Sequence, residues 1–429
     1  MIKKIQQDFS YYSHEFKDNY RKGVHRLRTI LASKAQAQAF VSNAGGTAVV
    51  LGYEPDTPDK NAQELYALLA ASPYIDDAVQ TFLGSIYEAG AESQDAMYSD
   101  SARCLEILHD PVMARAAGAG AVSAGKWIAA LAGQSCNLYR DMNAVAASDI
   151  AMTAVAASET AMTAVIAGTI ALNAVAASKT AMTAVAANEI SMAAVAASPV
   201  AMSAIIGNST ALNAVVTSSV AMAAVIGNSA ALNAVVSSST AMAAVAASQT
   251  AMTAVAESYV AVAAVYGSAV AVEAVKANET ASATLAGATS AVMGKAVAVL
   301  AGLNPDSYSD MAAVAASQTA MAAIATSSTA MSAISASTTA INALKASPLL
   351  VAKTKSGNNW TTETVRSGRG IAVYIYGASI SGGNGWVKTD NVQTTFSSNG
   401  TSQNLLKAFQ TSLSVYWYQS SSTLYYIPC

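Results

Sequence analysis

From Asp141 to Thr280 the chain repeats itself every ten residues, and that period limits its fold more than any other feature. Fourteen consecutive units follow the pattern A-M-x-A-V-A-A-S-x-x. Four more run from Asp310 to Pro348, after an interruption that includes Gly302-Leu-Asn-Pro-Asp306. The second position is Met or Leu from Met142 to Met252, the fourth is Ala from Ala144 to Ala274, and the fifth is Val or Ile. A continuous α-helix turns about 100° per residue, so ten residues fall roughly 80° short of three turns. A Met/Val stripe on such a helix would wander out of any core. Repeats of eleven or seven keep a stripe straight or supercoiled, but ten does neither. Either the helix breaks once per unit or the array is not helical.

The eighth position supplies the break. It is Ser148, Ser158, Gly168, Ser178, Asn188, Ser198 and Asn208 in successive units, and Ser and Asn side chains accept from the free N–H groups that open a helix. Pro199 and Pro348 follow directly, at a first helical position where proline is tolerated. Glu159, Glu189 and Glu279 occupy the same slot, where the helix dipole favours an anion. Gly207, Gly227 and Gly267 precede the cap, where a left-handed closing residue is expected. Each unit thus predicts a helix of about seven or eight residues closed by a two- or three-residue turn.

Positions two, five and six share one face, as in Met202, Ile205 and Ile206. The Ala at position four leaves room for close helix approach. Helices this short are unstable alone in water and must stack on neighbours, which predicts an α-solenoid or zigzag. A twenty-residue super-period sets Met202/Leu212/Met222/Leu232 in step with Gly207-Asn208, Thr217-Ser218, Gly227-Asn228 and Ser237-Ser238. It favours an up-down ladder of hairpins. A β-solenoid competes poorly, because Ala and Met are weak strand formers, and the regular apolar positions argue against a disordered linker.

The two ends differ from the array. Residues 1–140 read as a helical N-terminal domain: Tyr11 to Leu31 is helically patterned, Ser72-Pro73 opens a helix through Ala78, Phe82 and Ile86, and Gly118, Gly120 and Gly125 form a flexible exit. The basic run Arg21, Lys22, Arg26 and Arg28 is the candidate anchoring patch. Residues 351–429 read as a small β-rich, aromatic domain. Its strands are Ile371–Tyr376, Trp386-Val387, Val392–Phe396, Leu413–Tyr418 and Thr423–Ile427, with a turn at Gly382–Gly385 and a short helix from Ser402 through Leu405, Leu406 and Phe409. Tyr374, Tyr376, Trp386, Trp417, Tyr425 and Tyr426 are the candidate binding surface, since such rings stack on sugars or fill partner pockets. The expected fold is therefore mainly α: an elongated array of short capped helices at 141–350, interrupted at 281–309, between a helical domain and a β-rich one.

Composition narrows function by exclusion. A formal net charge of −3, with only 11% charged residues, does not suit a broadly basic nucleic-acid binder or an acidic solvating chain. Three cysteines and three histidines lack metal-ligand spacing, so no metal and no cofactor is expected. Mean hydropathy is +0.34, yet Ser, Thr or Asn interrupts every apolar stretch, so no membrane span is expected. The N-terminus has no apolar core of signal-peptide length. No catalytic constellation stands out; Glu363 and Asp390 are the β-rich domain's two carboxylates, which makes a glycosidase pair the weakest reading.

The A-M-T-A-V-A-A-S array resembles the repeat shafts of tailed-bacteriophage appendage proteins, such as tail fibres and collar or whisker fibres. The resemblance covers about 200 residues of low-complexity sequence. It implies a virion structural protein whose residues 1–140 dock on other virion proteins and whose repeats act as spacer. It further implies that 351–429 contacts a host receptor or a virion protein, and that the chain forms a homo-oligomer, with a trimer favoured. A period of ten is not a heptad, which sets the array apart from a coiled-coil shaft. The rival classes are a bacterial surface adhesin, which the missing secretion signal disfavours, and an ice-binding protein, for which the third-position Thr residues form no continuous row.

Overall fold

The computed structural model describes residues 10–18, 20–52, 60–87, 93–376, 385–396, 402–418 and 421–429. The fold is mainly helical with a small antiparallel β region at the C-terminus. It divides into two compact units, Met1–Ala231 and Leu232–Cys429. The division falls inside the repeat array, not at either change of composition.

In the first unit the N-terminal helices pack around a conventional core that includes Phe40, Leu65, Leu83 and Trp127. The helix predicted from Ser72-Pro73 begins at Ile75 with Tyr74 as its cap; Ser72 Oγ accepts from the Tyr74 N–H, at 3.3 Å. Two of the glycines read as a flexible exit are close-packing sites. A Cβ on Gly120 would lie 2.1 Å from Asp76 Oδ1, and one on Gly125 would lie 2.4 Å from the Asp141 carbonyl carbon and the Met142 nitrogen, whereas one on Gly118 would make only ordinary contact, 3.7 Å from the Cα of Gly168.

The repeats form one helix per unit, as in Asp149–Ala157, Glu159–Ala167 and Thr169–Ala177. Each corner is tighter than the sequence suggests. Helices reach nine residues, and a single extended residue often separates them, for example Ser158 at φ −106°, ψ 113°. That residue closes one helix and opens the next. The Ser158 N–H donates to Val155 O, its carbonyl accepts from Met162 N, and its Oγ accepts from Ala161 N. No left-handed residue is needed: Gly207 sits at φ −76°, and Gly227 lies within its helix.

Consecutive helix axes bend by about 98–103° in the first unit, and there each helix from Met142–Ala147 to Glu189–Ala197 packs on the one three units along. Helix Asp149–Ala157 lies on Lys179–Ala186, which lies on Ser209–Val216; Glu159–Ala167 lies on Glu189–Ala197, which lies on Ser219–Gly227. This is a three-sided coil, not the up-down ladder expected from the super-period. Units two apart do not stack in this way. The coil interior is built from positions one, two, five and six, as in Ala151, Met152, Val155 and Ala156, all at most 1% exposed. The close-approach alanine is therefore the one at position one; most position-four alanines are half-buried. Turns are also stitched: Ser178 Oγ donates to Ala146 O and Ser218 Oγ to Ala186 O, each across 32 residues.

The second unit begins with a coil of the same kind: helix Ser239–Ala247 lies on Ala269–Lys276, and Gln249–Glu257 on Glu279–Ala286. The expected interruption contains the helix Ser290–Leu300 and a 3₁₀ turn at Pro305–Ser307, after which four helices run from Met311 to Lys345.

Among the described residues the C-terminal domain has eight strands: β1 (Val351–Thr354), β2 (Thr361–Ser367), β3 (Gly370–Tyr376), β4 (Gly385–Thr389), β5 (Val392–Phe396), β6 (Ser402–Phe409), β7 (Ser412–Trp417) and β8 (Thr423–Pro428). They form two four-stranded sheets, ordered β1-β8-β3-β6 and β2-β7-β4-β5. Between them lies a core of Ala372, Ile375, Leu405, Phe409 and Leu424 from one sheet and Val387, Phe396, Leu413, Val415 and Trp417 from the other. The helix expected at 402–409 is strand β6. Most of the expected turn, residues 382–384, lies outside the described residues.

Candidate functional site

Alternation along a strand decides which aromatic rings reach the surface. In β7, Leu413, Val415 and Trp417 point into the core, leaving Ser414 and Tyr416 on the outside, followed by Tyr418. In β4, Val387 is inward, so Trp386 and Lys388 are outward. Trp386 pairs directly with Tyr416 across the sheet, and Trp360, just before β2, completes the row. Trp360 and Tyr416 stack with centroids 4.8 Å apart and planes 19° apart; Trp386 and Tyr416 stack at 5.6 Å and 22°; Trp360 and Tyr418 meet at 5.4 Å. The outer face of the β2-β7-β4-β5 sheet thus carries a ladder of four half-buried rings. Thr362, Thr364, Ser414, Lys388, Gln393 and Thr395 surround it at paired positions. At these separations ring faces cover one another, so the ladder offers solvent its edges.

The opposite sheet has no such free face. Gln318 Nε2 donates to Pro428 O at 2.8 Å, Gln410 Nε2 donates to Ala325 O at 2.6 Å, and Lys345 Nζ lies 5.2 Å above the Tyr374 ring. Strand β3 packs on helices Gln318–Ile324 and Thr338–Lys345, and β6 on Ser328–Ala336. The sandwich therefore seats this sheet on the last turn of the helical coil.

The sequence-predicted ring set is accordingly divided. Trp417 and Tyr426 are core residues, 0% and 9% exposed, and cannot line a binding face. Trp417 is inward because it shares parity with Leu413 and Val415. Tyr374 and Tyr425 stack on each other at 4.2 Å on the seated sheet. Burial, and then the neighbouring Tyr425, push the Tyr374 hydroxyl above its ordinary range. Tyr376 ends β3 and is 46% exposed. Of the six, Trp386 alone belongs to the ladder. Trp360, Tyr416 and Tyr418 were not singled out, although the parity of Leu413 and Val415 would have selected Tyr416 and Tyr418 over Trp417.

Both carboxylates of the domain are occupied. Glu363 lies 3.4 Å from Lys353 and 3.8 Å from the buried Lys355, and accepts from Trp417 Nε1 at 3.2 Å. Asp390 clamps the β6–β7 turn, accepting from Gln410 N, Thr411 N, Thr411 Oγ1 and Ser412 N at 2.7–3.0 Å. Slight desolvation raises its pKa, but those donors together hold it down at about 2. With these two engaged, Arg366, Arg369, Lys388 and Lys407 have no ion-pair partner among the described residues, and the sandwich is electropositive.

At the other end, the candidate anchoring residues lie on the helix Tyr20–Ala32. Lys22 is exposed. Arg26 approaches Glu15 at 3.8 Å, and Arg28 donates to Glu64 at 3.2 Å. These pairs are solvent-exposed and weak. The Arg21 side chain lies outside the described residues. Among the described residues no group of three or more His, Cys, Asp or Glu is placed to hold a metal ion, and no single helix is long and apolar enough to cross a membrane.

Comparison with known proteins finds no family model that matches this chain and no curated protein significantly similar to it.

Proposed function

We propose that this chain is a structural protein of a virion appendage. Residues 1–140 dock it on the particle, the repeats act as spacer, and the C-terminal sandwich recognises an anionic host receptor. The observation that carries this reading is the aromatic ladder of Trp360, Tyr416, Trp386 and Tyr418, which occupies the sandwich face left open when the other sheet is seated. Indole N–H and phenol O–H groups at ring edges suit a contact that is apolar in bulk and polar at its rim. Lys388, outward on the same strand face as Trp386 and without an ion-pair partner among the described residues, selects a negatively charged partner and makes binding salt-sensitive.

The spacer role is modest. A coil that takes three units per turn advances by one interhelix distance, about 8–10 Å, for every thirty residues. That is roughly a third of what a stack advancing one unit at a time would give.

Replacing Trp386 and Trp360 together with Ala tests the reading on intact particles. Incorporation into the particle should be unchanged, while adsorption to host cells should fall at least tenfold. Normal adsorption by particles carrying the double variant would overturn the assignment of recognition to this face.

A further inference from the structure

Residues 290–317 repeat residues 121–148 at an offset of 169. Gly125-Lys126 matches Gly294-Lys295, Leu131-Ala-Gly133 matches Leu300-Ala-Gly302, Tyr139 matches Tyr308, and Asp141-Met142 matches Asp310-Met311, each followed after one residue by Ala-Val-Ala-Ala-Ser. The structure repeats with the sequence. Both copies have an eleven-residue helix, a left-handed glycine (Gly133 at φ 72°, Gly302 at φ 73°) and a 3₁₀ turn. In both, an Asp in extended conformation then caps the first coil helix. A Cβ on Gly294 would lie 2.2 Å from the Asp310 carbonyl carbon, matching the close contact at Gly125. Ser158 Oγ donates to Leu131 O, and Ser327 Oγ to Leu300 O. The interruption in the array is a second start module.

The two copies do the same thing downstream and different things upstream. Helix Ala121–Leu131 packs on the helical domain, through Ile75–Ile86, Gln94–Tyr98 and Ser101–His109, and Lys126 pairs with Asp95. Helix Ser290–Leu300 packs instead on Tyr259–Gly267, a unit of the preceding coil. That unit departs from the repeat where it meets the module. It holds Tyr259 and Tyr266, two of only three tyrosines between residues 141 and 350. Lys295 Nζ lies 5.5 Å over the Tyr259 ring, and Tyr266 is 7% exposed. Ala263 is 6% exposed, whereas position three is exposed in the other thirteen units between residues 141 and 280. No comparable packing joins Ala269–Lys276 to Met311–Ala316, or Glu279–Ala286 to Gln318–Ile324.

We infer that the helix Ser290–Leu300 is a joint. Its upstream face is an interaction surface for the end of a decapeptide coil bearing a tyrosine-modified unit, and residues 288–429 are a self-contained head carried on that joint. The head holds every part a capped coil needs: a start module, four repeat helices and a sandwich seated on the last turn. The inference is independent of which ligand the sandwich takes.

The full chain tests it after insertion of a protease-cleavable sequence between Gly287 and Ala288. The cleaved pieces should co-elute at micromolar concentration on gel filtration. Combining the insertion with Tyr259→Ala and Tyr266→Ala should weaken their association at least tenfold and release a 288–429 piece whose β3 and Ser290–Leu300 amides stay protected from exchange. Lys295→Gln, a partly exposed change that leaves the core intact, should weaken association two- to fivefold. A released piece that has lost amide protection would overturn the self-contained head, and association indifferent to all three substitutions would overturn the joint.

Discussion

Ser218 and Ser198 occupy the same unit position but make different sets of bonds, and replacing each with Ala separates helix capping from turn-to-turn stitching. Each Oγ accepts the N–H three residues on, at 3.2 Å. Losing that cap costs about 1 kcal/mol. Ser218 also donates to Ala186 O. That carbonyl ends the helix Lys179–Ala186, so it has no partner within the helix, and Ala186 is 2% exposed. Stranding it adds about 1 kcal/mol or more. Ser218→Ala should therefore cost roughly 2 kcal/mol against roughly 1 for Ser198→Ala. Ser218→Asp keeps the cap acceptor and loses the donor, so its cost should be that of the stranded carbonyl alone, about 1 kcal/mol or more. Local hydrogen exchange is the suitable assay, because a coil of this kind opens locally before it unfolds globally. At 1.4 kcal/mol per tenfold change, protection in Ser219–Gly227 and Lys179–Ala186 should drop about thirtyfold for Ser218→Ala. The corresponding drop around residue 198 should be about fivefold for Ser198→Ala. Equal losses for the two alanine variants would refute stitching by serine.

Other substitutions follow from the same geometry. Gly294→Ala gains about 1 kcal/mol of helix propensity but drives a Cβ into the Asp310–Met311 backbone, so a net loss of protection in Met311–Lys345 is expected. Gly227→Ala, with nothing within 4 Å of the new Cβ, should stabilise its helix by about 0.5–1 kcal/mol; the opposite order would show that the close contact is unimportant. Asp390 has its folded pKa lowered from 3.8 to about 2, so its contribution is full above about pH 4 and is lost as pH falls through 2. Asp390→Asn should flatten the thermal midpoint between pH 4 and 2, and an unchanged slope would contradict the clamp. Trp417→Ala should unfold the sandwich, whereas Tyr416→Ala should leave its midpoint within a few degrees while reducing adsorption; near-ultraviolet dichroism distinguishes the two.

The corners of the coil were legible because capping is local chemistry: Ser158 and Asn188 declare themselves beside Glu159 and Glu189. The number of sides was not. Ladder and three-sided coil bury the same positions two, five and six, and the choice rests on a corner angle set by one extended residue. The 0% exposure of Ala151 and Ala161 marks the coil interior, but in sequence these alanines look like those at position four. In the sandwich, strands with clean alternation were readable, and β1 and β2, which are short or polar, were passed over. Strand β6 was misread as a helix for a definite reason. Its register slips so that Leu405 and Leu406 together face Val373, and Leu406 takes φ 49°. A bulge buries two adjacent residues and so imitates the spacing of a helix through Leu405, Leu406 and Phe409. The aromatic ladder needed only parity, which sets Tyr416 and Tyr418 outward and Trp417 inward with Leu413 and Val415.

Three units per turn also sets a rule for how such a chain can change length. Gain or loss of a single decapeptide in the second coil would swing everything after it by about a third of a revolution. The sandwich would turn together with the last helices that seat it, and its ring edges would point elsewhere. Triplets of units leave the heading intact. Recombination within so uniform a sequence will generate every unit number, but a head that must keep its aim tolerates changes only in steps of thirty residues. Length variants of this protein should therefore be found in quanta, like threads on a screw that can be added only by whole turns.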